Sequence, residues 1–344
     1  APHGSPWKMQ LNLEPDQLCA SCHDNADELV NKHQGMTGTL TQCVSCHDPH
    51  SANEKNLLHA YQHAPVADGE CSACHDDSAE GAFQLTSNGA DLCLDCHDDL
   101  TAGLAVPHSP AEDGECRTCH APHGSSQPAL LVALQAKVCL ECHEPGMFNK
   151  SLVHDPVAEG DCAGCHDPHG SDLPGLLPSA ITPLCRSCHD DMDVPVDHAG
   201  TSHAPFVKKD CTTCHDPHSA NQPALLLRTA GDLCLDCHLK VRRDIASTSS
   251  HDVVARGECL ACHDPHLSDQ VSLLTSSPDI LCGSCHTDLQ ELPENGSLHD
   301  PAGEGACLDC HNPHASDELA LLNQEPAAIC LECHDVGQST EADF

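Results

Sequence analysis

Cys162-Ala163-Gly164-Cys165-His166-Asp167-Pro168-His169 is the stretch whose reading decides the fold. Two thiols stand three residues apart, a histidine follows the second at once, and another histidine comes three residues later behind a proline. The Cys-x-x-Cys-His part recurs fourteen times in 344 residues and uses all 28 cysteines. The pairs are Cys19 and Cys22, Cys43 and Cys46, Cys71 and Cys74, Cys93 and Cys96, Cys116 and Cys119, Cys139 and Cys142, Cys162 and Cys165. They continue with Cys185 and Cys188, Cys211 and Cys214, Cys234 and Cys237, Cys259 and Cys262, Cys282 and Cys285, Cys307 and Cys310, Cys330 and Cys333. The histidines that close them are His23, His47, His75, His97, His120, His143, His166, His189, His215, His238, His263, His286, His311 and His334.

Two thiols at this spacing can each form a thioether to a haem vinyl group, and the next residue is then held beneath the ring as an iron ligand. Zinc also uses Cys-x-x-Cys, as half of a tetrahedral site, and chains outside the cytoplasm often pair cysteines as disulfides. Neither rival explains a histidine at the same place in all fourteen motifs. The expectation is fourteen covalently attached haem c groups and electron transfer.

Composition agrees. One Trp, one Tyr and four Phe cannot furnish a large core. With fewer than 25 residues for each motif, porphyrin must supply most of the buried apolar surface, and no fold is expected without it. The expected fold class is a multihaem cytochrome c, mostly coil with short helices and little sheet, built as an elongated array of two-haem repeats around a haem-dominated core. Lys and Arg number 14 against 53 Asp and Glu, a net charge of −39. Such a field repels nucleic acid and anionic lipid. No apolar run approaches a membrane span, the longest being short ones such as Ala129 to Leu134. Haem is attached in this way outside the cytoplasm, and the opening Ala1-Pro2-His3 is not a signal peptide, so removal of a secretion signal is inferred.

The motifs fall into two classes. Class one, at Cys43, Cys71, Cys116, Cys162, Cys211, Cys259 and Cys307, follows small or polar residues and usually precedes Asp-Pro-His. Class two, at Cys19, Cys93, Cys139, Cys185, Cys234, Cys282 and Cys330, follows a branched apolar residue. From Cys71 the classes alternate, and class-one cysteines recur every 45 to 49 residues. Residues 1–59 therefore read as an irregular N-terminal part with two haems, and 60–344 as an array of two-haem repeats. Leu130, Leu176, Leu225, Leu273 and Leu321 each lie seven residues after a Pro-His histidine, in a short helix or turn expected against a haem face.

The pattern resembles the doubled Cys-x-x-Cys-His family of multihaem cytochromes, through Cys43 to His50, Cys116 to His123, Cys162 to His169, Cys211 to His218, Cys259 to His266 and Cys307 to His314. The resemblance implies low-potential electron-transfer haems with two histidine ligands each. It departs at Asp76-Asp77-Ser78, where Pro-His is missing, and at Cys43, which has no class-two partner before Cys71.

Sixth ligands are available. Pro-His supplies His50, His123, His169, His218, His266 and His314; upstream of class-one motifs lie His33, His63, His108, His154, His203, His251 and His299. His3 also follows a proline, and its 16-residue interval to Cys19 matches that from His123 to Cys139, which makes it a seventh Pro-His ligand. His59 and His198 remain as spares. Three residues span at most about 10 Å, too little for a Pro-His histidine to reach round its own porphyrin. The simplest assignment gives these histidines the class-two haem of the same repeat, and the upstream histidines the class-one haem. His3 is then expected on the Cys19 haem.

No Cys-x-x-Cys-Lys and no separate catalytic constellation stands apart from the repeat, so no enzyme is expected. The expected role is long-range extracellular transport at or beyond the cell surface, as a head-to-tail homopolymer or with other multihaem cytochromes, without nucleic acid or membrane insertion. A soluble periplasmic or outer-surface carrier is the alternative, with a multihaem oxidoreductase behind it.

Overall fold

A computed structural model of the chain describes residues 11–33, 42–50, 55–76, 84–192, 200–208, 211–287 and 298–334. Its elements are short, as Pro and Gly dictate. The longest described helices, Ala230–Cys237 and Pro326–Cys333, have eight residues each. Among the described residues the sheets are five two-stranded ribbons of two residues per strand. Two compact units are present: Ala1–Pro145 with Asp155–Ala180, and Gly146–His154 with Ile181–Phe344.

Each class-two motif lies at or just beyond the end of a short helix. Pro15–Ala20, Gln135–Cys139, Ile181–Arg186 and Pro278–Gly283 are four of these. The branched residue before the cysteine falls on the last turn. The class-one motif is a turn closed on itself. His47 donates its backbone N–H to the Cys43 carbonyl at 3.0 Å, and His120 donates to Cys116 at 3.0 Å. One helical turn puts both thiols on the same side.

After class one comes a tight reversal. Asn56 and Leu57, Ala129 and Leu130, Ala224 and Leu225, Ser272 and Leu273, and Ala320 and Leu321 all have positive φ, as do Gly175 and Leu176. Left-handed backbone costs a non-glycine residue roughly 1–2 kcal/mol, so these turns persist because something beyond the turn needs them. Part of the reason is local: the Leu130 carbonyl accepts the Ala121 N–H at 2.7 Å, and Leu225 accepts from Asp216 at 2.8 Å. The leucines at the seventh position thus form the turn itself.

The ribbons join consecutive repeats. Residues just after Pro-His pair antiparallel with those just before the upstream histidine of the preceding repeat: Gly124–Ser125 with Tyr61–Gln62, and Gly170–Ser171 with Val106–Pro107. The second unit repeats this with Ser219–Ala220 on Leu152–Val153, Leu267–Ser268 on Thr201–Ser202, and Ala315–Ser316 on Ser249–Ser250. Small residues suit the strand after Pro-His because it is the most enclosed of the described residues; Ser219 is fully buried and Ser125, Ser171, Ala220 and Ala315 nearly so.

Among the described residues, those two alanines are the only buried apolar side chains, while Leu134, Val271 and Leu319 stand 66%, 72% and 75% exposed. The described part of the polypeptide buries too little of itself to have an apolar core of its own.

Candidate haem-binding sites

Histidine rings meet in pairs, and the spacing is constant. His63 faces His97 at 5.9 Å between ring centres, His75 faces His123 at 5.9 Å, His108 faces His143 at 6.1 Å, and His120 faces His169 at 6.1 Å. In the second unit His154 faces His189, His203 faces His238, His215 faces His266, and His251 faces His286, each at 6.1 Å. His263 faces His314 and His299 faces His334, each at 5.9 Å. His33 and His47 are 6.1 Å apart. A metal–imidazole bond is about 2.0 Å and a ring centre lies about 1.1 Å from its nitrogen, so two axial rings across one iron sit roughly 6.2 Å apart. The residues fit haem: one member of every pair closes a Cys-x-x-Cys-His motif, and the other is an upstream or a Pro-His histidine.

The pairing corrects the sequence-based assignment. Upstream histidines, from His63 to His299, face the class-two histidine of their own repeat. The Pro-His histidines His123, His169, His266 and His314 face the class-one histidine of the repeat before. Only His33, in the irregular N-terminal part, faces a class-one histidine as expected. The reason is the ribbon. The His63 N–H donates to the His123 carbonyl at 3.0 Å, His108 to His169 at 2.9 Å, His154 to His218 at 3.0 Å, His203 to His266 at 2.9 Å and His251 to His314 at 3.0 Å. Each bond fixes an upstream histidine beside the Pro-His histidine of the next repeat, so one ribbon delivers a distal ring to each of the two motifs it covers.

The second nitrogen of these rings is engaged too. Nδ1 of His120 donates to the Ala129 carbonyl at 2.8 Å, that of His215 to Ala224 at 2.8 Å, and that of His263 to Ser272 at 2.9 Å. His47, His166 and His311 do the same to Asn56, Gly175 and Ala320. Every acceptor is nine residues on, in the left-handed turn, which is the further reason for the turn. Upstream rings use the proline of Asp-Pro-His instead: His108 Nδ1 meets the Pro168 carbonyl at 2.6 Å, His154 meets Pro217 at 3.0 Å and His203 meets Pro265 at 2.8 Å. An Nδ1–H held by a carbonyl leaves Nε2 to the iron and fixes the ring's plane. The aspartate of Asp-Pro-His adds an Asx turn, in which His169 and His218 each donate their N–H to the carboxylate two residues back at 3.0 Å. Ala121 stands at that place in the Cys116 repeat and cannot do this. Phe148 and Phe206 lie 5.2 Å and 5.0 Å from the rings of His218 and His266.

The carbonyl acceptors were not legible in sequence because every residue type carries one. Asp16 was also missed; its carboxylate accepts the N–H groups of Gln42 at 2.6 Å and Cys43 at 2.9 Å, tying the Cys19 helix to the Cys43 turn.

Adjacent motifs also approach at their cysteines. The Cys93 thiol lies beside Cys116, Cys139 beside Cys162, Cys234 beside Cys259, and Cys282 beside Cys307. Gly160, at φ +79, permits one of these approaches: a side chain there would meet the Ala136 Cβ at 2.8 Å. Zinc and disulfides gain no support. Among the described residues no three ligand side chains converge on a metal position, and none of the 28 cysteines forms a disulfide.

Six tandem copies of the doubled CXXCH motif match the chain, at residues 63–102, 108–148, 154–194, 203–243, 251–291 and 299–338. The chain belongs to the doubled CXXCH family. It is a multihaem c-type cytochrome, and its paired motifs bind haem c covalently. Each copy starts on an upstream histidine and ends beyond the class-two histidine it faces, so a copy contains one complete ring pair, and the copies at 108–148 and 251–291 also hold half of two others. The motifs at Cys19 and Cys43 lie outside the match. No curated protein matches the chain. When bound, haem c supplies an iron that takes up and releases single electrons. In each described pair the two facing imidazoles would hold one iron at a fixed angle.

His59 is engaged elsewhere: its Nε2 meets the Val44 carbonyl at 3.2 Å and its Nδ1 the Ser126 hydroxyl at 3.4 Å. His3 and His198 lie outside the described residues. Among the described residues, no second histidine ring faces His23, His50 or His311.

The angle between rings gives a spectroscopic test. His33 and His47 cross at 77°, whereas the other ten pairs lie between 12° and 33°. Near-parallel imidazoles split the two iron d orbitals they overlap, and crossed ones leave them nearly equal in energy. Electron paramagnetic resonance should give one highly anisotropic low-spin signal, lost in His33→Ala, among rhombic signals. Rhombic signals alone would contradict the geometry at Cys43.

Proposed function

We propose that all fourteen motifs carry haem with two histidine ligands, and that the protein conducts electrons outside the cell as a subunit of a head-to-tail polymer rather than as an enzyme. Electron transfer itself follows from the family. The observation that carries the polymer is the position of His311. Its Nδ1 is held by Ala320 at 2.9 Å, as in the other class-one sites, yet no described imidazole faces it. By the register of the repeats its partner is a Pro-His histidine of a following repeat. His3 is a Pro-His histidine as well. The reason for placing His3 on the Cys19 haem was that Pro-His histidines serve class-two sites, and their rings face class-one sites instead. His3 of one copy on the Cys307 haem of the next is therefore the better assignment, and it makes a heterologous, open interface of the kind that builds filaments. Among the described residues no helix is long and apolar enough to cross a membrane, and the net charge of −39 suits an aqueous exterior.

Negative-stain microscopy of the secreted holoprotein and of His3→Ala tests this. Filaments are expected from the first, and single particles with one high-spin haem per chain from the second. Single particles from the unaltered protein would support a soluble carrier instead, and filaments that survive His3→Ala would place the interface elsewhere.

A further inference from the structure

One class-two site reverses the charge of all the others. The residues after the class-two histidines include Asp24, Asp98 and Asp99, Glu144, Asp190, Asp288 and Asp335, but after His238 the chain reads Leu239-Lys240-Val241-Arg242-Arg243. These cations form a helix, Leu239–Asp244, that begins directly on the ligand; the Arg242 N–H donates to the His238 carbonyl at 3.1 Å. The helix also packs against the strand Ala315–Ser316, next to His314. It therefore touches two sites, the His203–His238 pair of the Cys234 motif and the His263–His314 pair of the Cys259 motif. Its carboxylates do not cancel it. Asp236 is shared between Arg228 and Arg242, and Asp244 holds Lys240 at 3.0 Å, so four cations stand against Asp232, Asp236 and Asp244. The corresponding stretch around His97 has Asp91, Asp95, Asp98 and Asp99 with no Lys or Arg.

We infer that the Leu239–Asp244 helix makes the haems on Cys234 and Cys259 the place in this chain where an electron is held most firmly. This rests on the electron-transfer reading of the sites. Reduction adds one negative charge to a site; a cation nearby favours that state and a carboxylate opposes it. One unit charge at about 10 Å, with an effective dielectric of about 20, changes the reduction equilibrium roughly tenfold. Salt weakens the effect at exposed positions such as Lys240, whose side chain is 79% accessible. Electrons moving along an array whose other class-two sites are flanked by carboxylates would collect here first and leave here last.

Spectroelectrochemical titration of the holoprotein tests the proposal, with Lys240→Gln, Arg242→Gln and Arg243→Gln combined. The control, Lys32→Gln, Lys55→Gln and Lys137→Gln combined, makes the same change of net charge in the first compact unit. In the unaltered protein the portion reduced first should amount to about two haems. In the helix variant its ratio of reduced to oxidised form, at fixed potential and low salt, should fall at least roughly tenfold, and the control should leave it in place. A first-reduced portion unmoved in the helix variant, or moved equally by the control, would overturn the inference. A protein whose haems cannot be reduced at all would overturn the electron-transfer reading instead.

Discussion

Replacing His314 with alanine is expected to leave the haem of its own repeat on Cys330 low-spin and to make the haem on Cys259, one repeat earlier, high-spin. The His314 ring stands 5.9 Å from His263 and His334 is faced by His299 at the same distance, so the loss falls on the earlier repeat. One haem per chain should gain the absorption of a five-coordinate iron and bind carbon monoxide. Adding Cys259→Ala and Cys262→Ala should abolish that new signal, because the haem that produces it is then gone. His251→Ala gives the complementary result, a high-spin haem on Cys282, since His251 faces His286. If His314→Ala instead freed the haem on Cys330, the register drawn from the ring pairs would be wrong.

The second large effect concerns folding. Chain made without haem attachment should be unfolded, with circular dichroism of a disordered chain and no cooperative melting, whereas the holoprotein should melt cooperatively. Ala220 and Ala315 are the buried apolar side chains among the described residues, and they can contribute almost nothing against the conformational entropy of 344 residues. The ribbons add two residues per strand, far below what stands alone in water. A compact apoprotein with native-like helix content would show that the polypeptide has an apolar core after all.

The two effects have one physical origin. A ring pair is a long-range contact closed through iron, and the residues that close it are far apart in sequence. His120 and His169 are in different repeats, and so are His215 and His266. Loss of a Pro-His ring such as His169 loosens both the repeat that supplies it and the repeat that receives it. Repeat proteins in general depend on neighbour interfaces; here the described interfaces combine facing histidine rings with the two-residue ribbons and the hydrogen bond from upstream to Pro-His histidine.

How much of this was written in the residues can be judged site by site. The cysteines and the histidines beside them were fully legible, because thioether chemistry demands two thiols and a ligand at fixed local spacing, and local spacing is what a sequence records. Eleven of the candidate distal histidines, picked out by their two regular registers, do face a motif histidine, and the scarcity of long helices and sheet was legible too. The partnership of the rings was not. Counting from His169 to Cys185 suggested that a Pro-His ring serves the class-two haem 16 residues on, but the ribbon Gly170–Ser171 pairs back to Val106–Pro107 and carries His169 to His120 instead. Strand pairing is a choice among non-local partners, made by close approach of small residues such as Gly170 and Ser171 and by backbone groups that every residue possesses. The sequence by itself determined which atoms can bind haem; tertiary structure alone decided which two histidine rings face each other, since that depends on distances in space between residues that no local spacing relates.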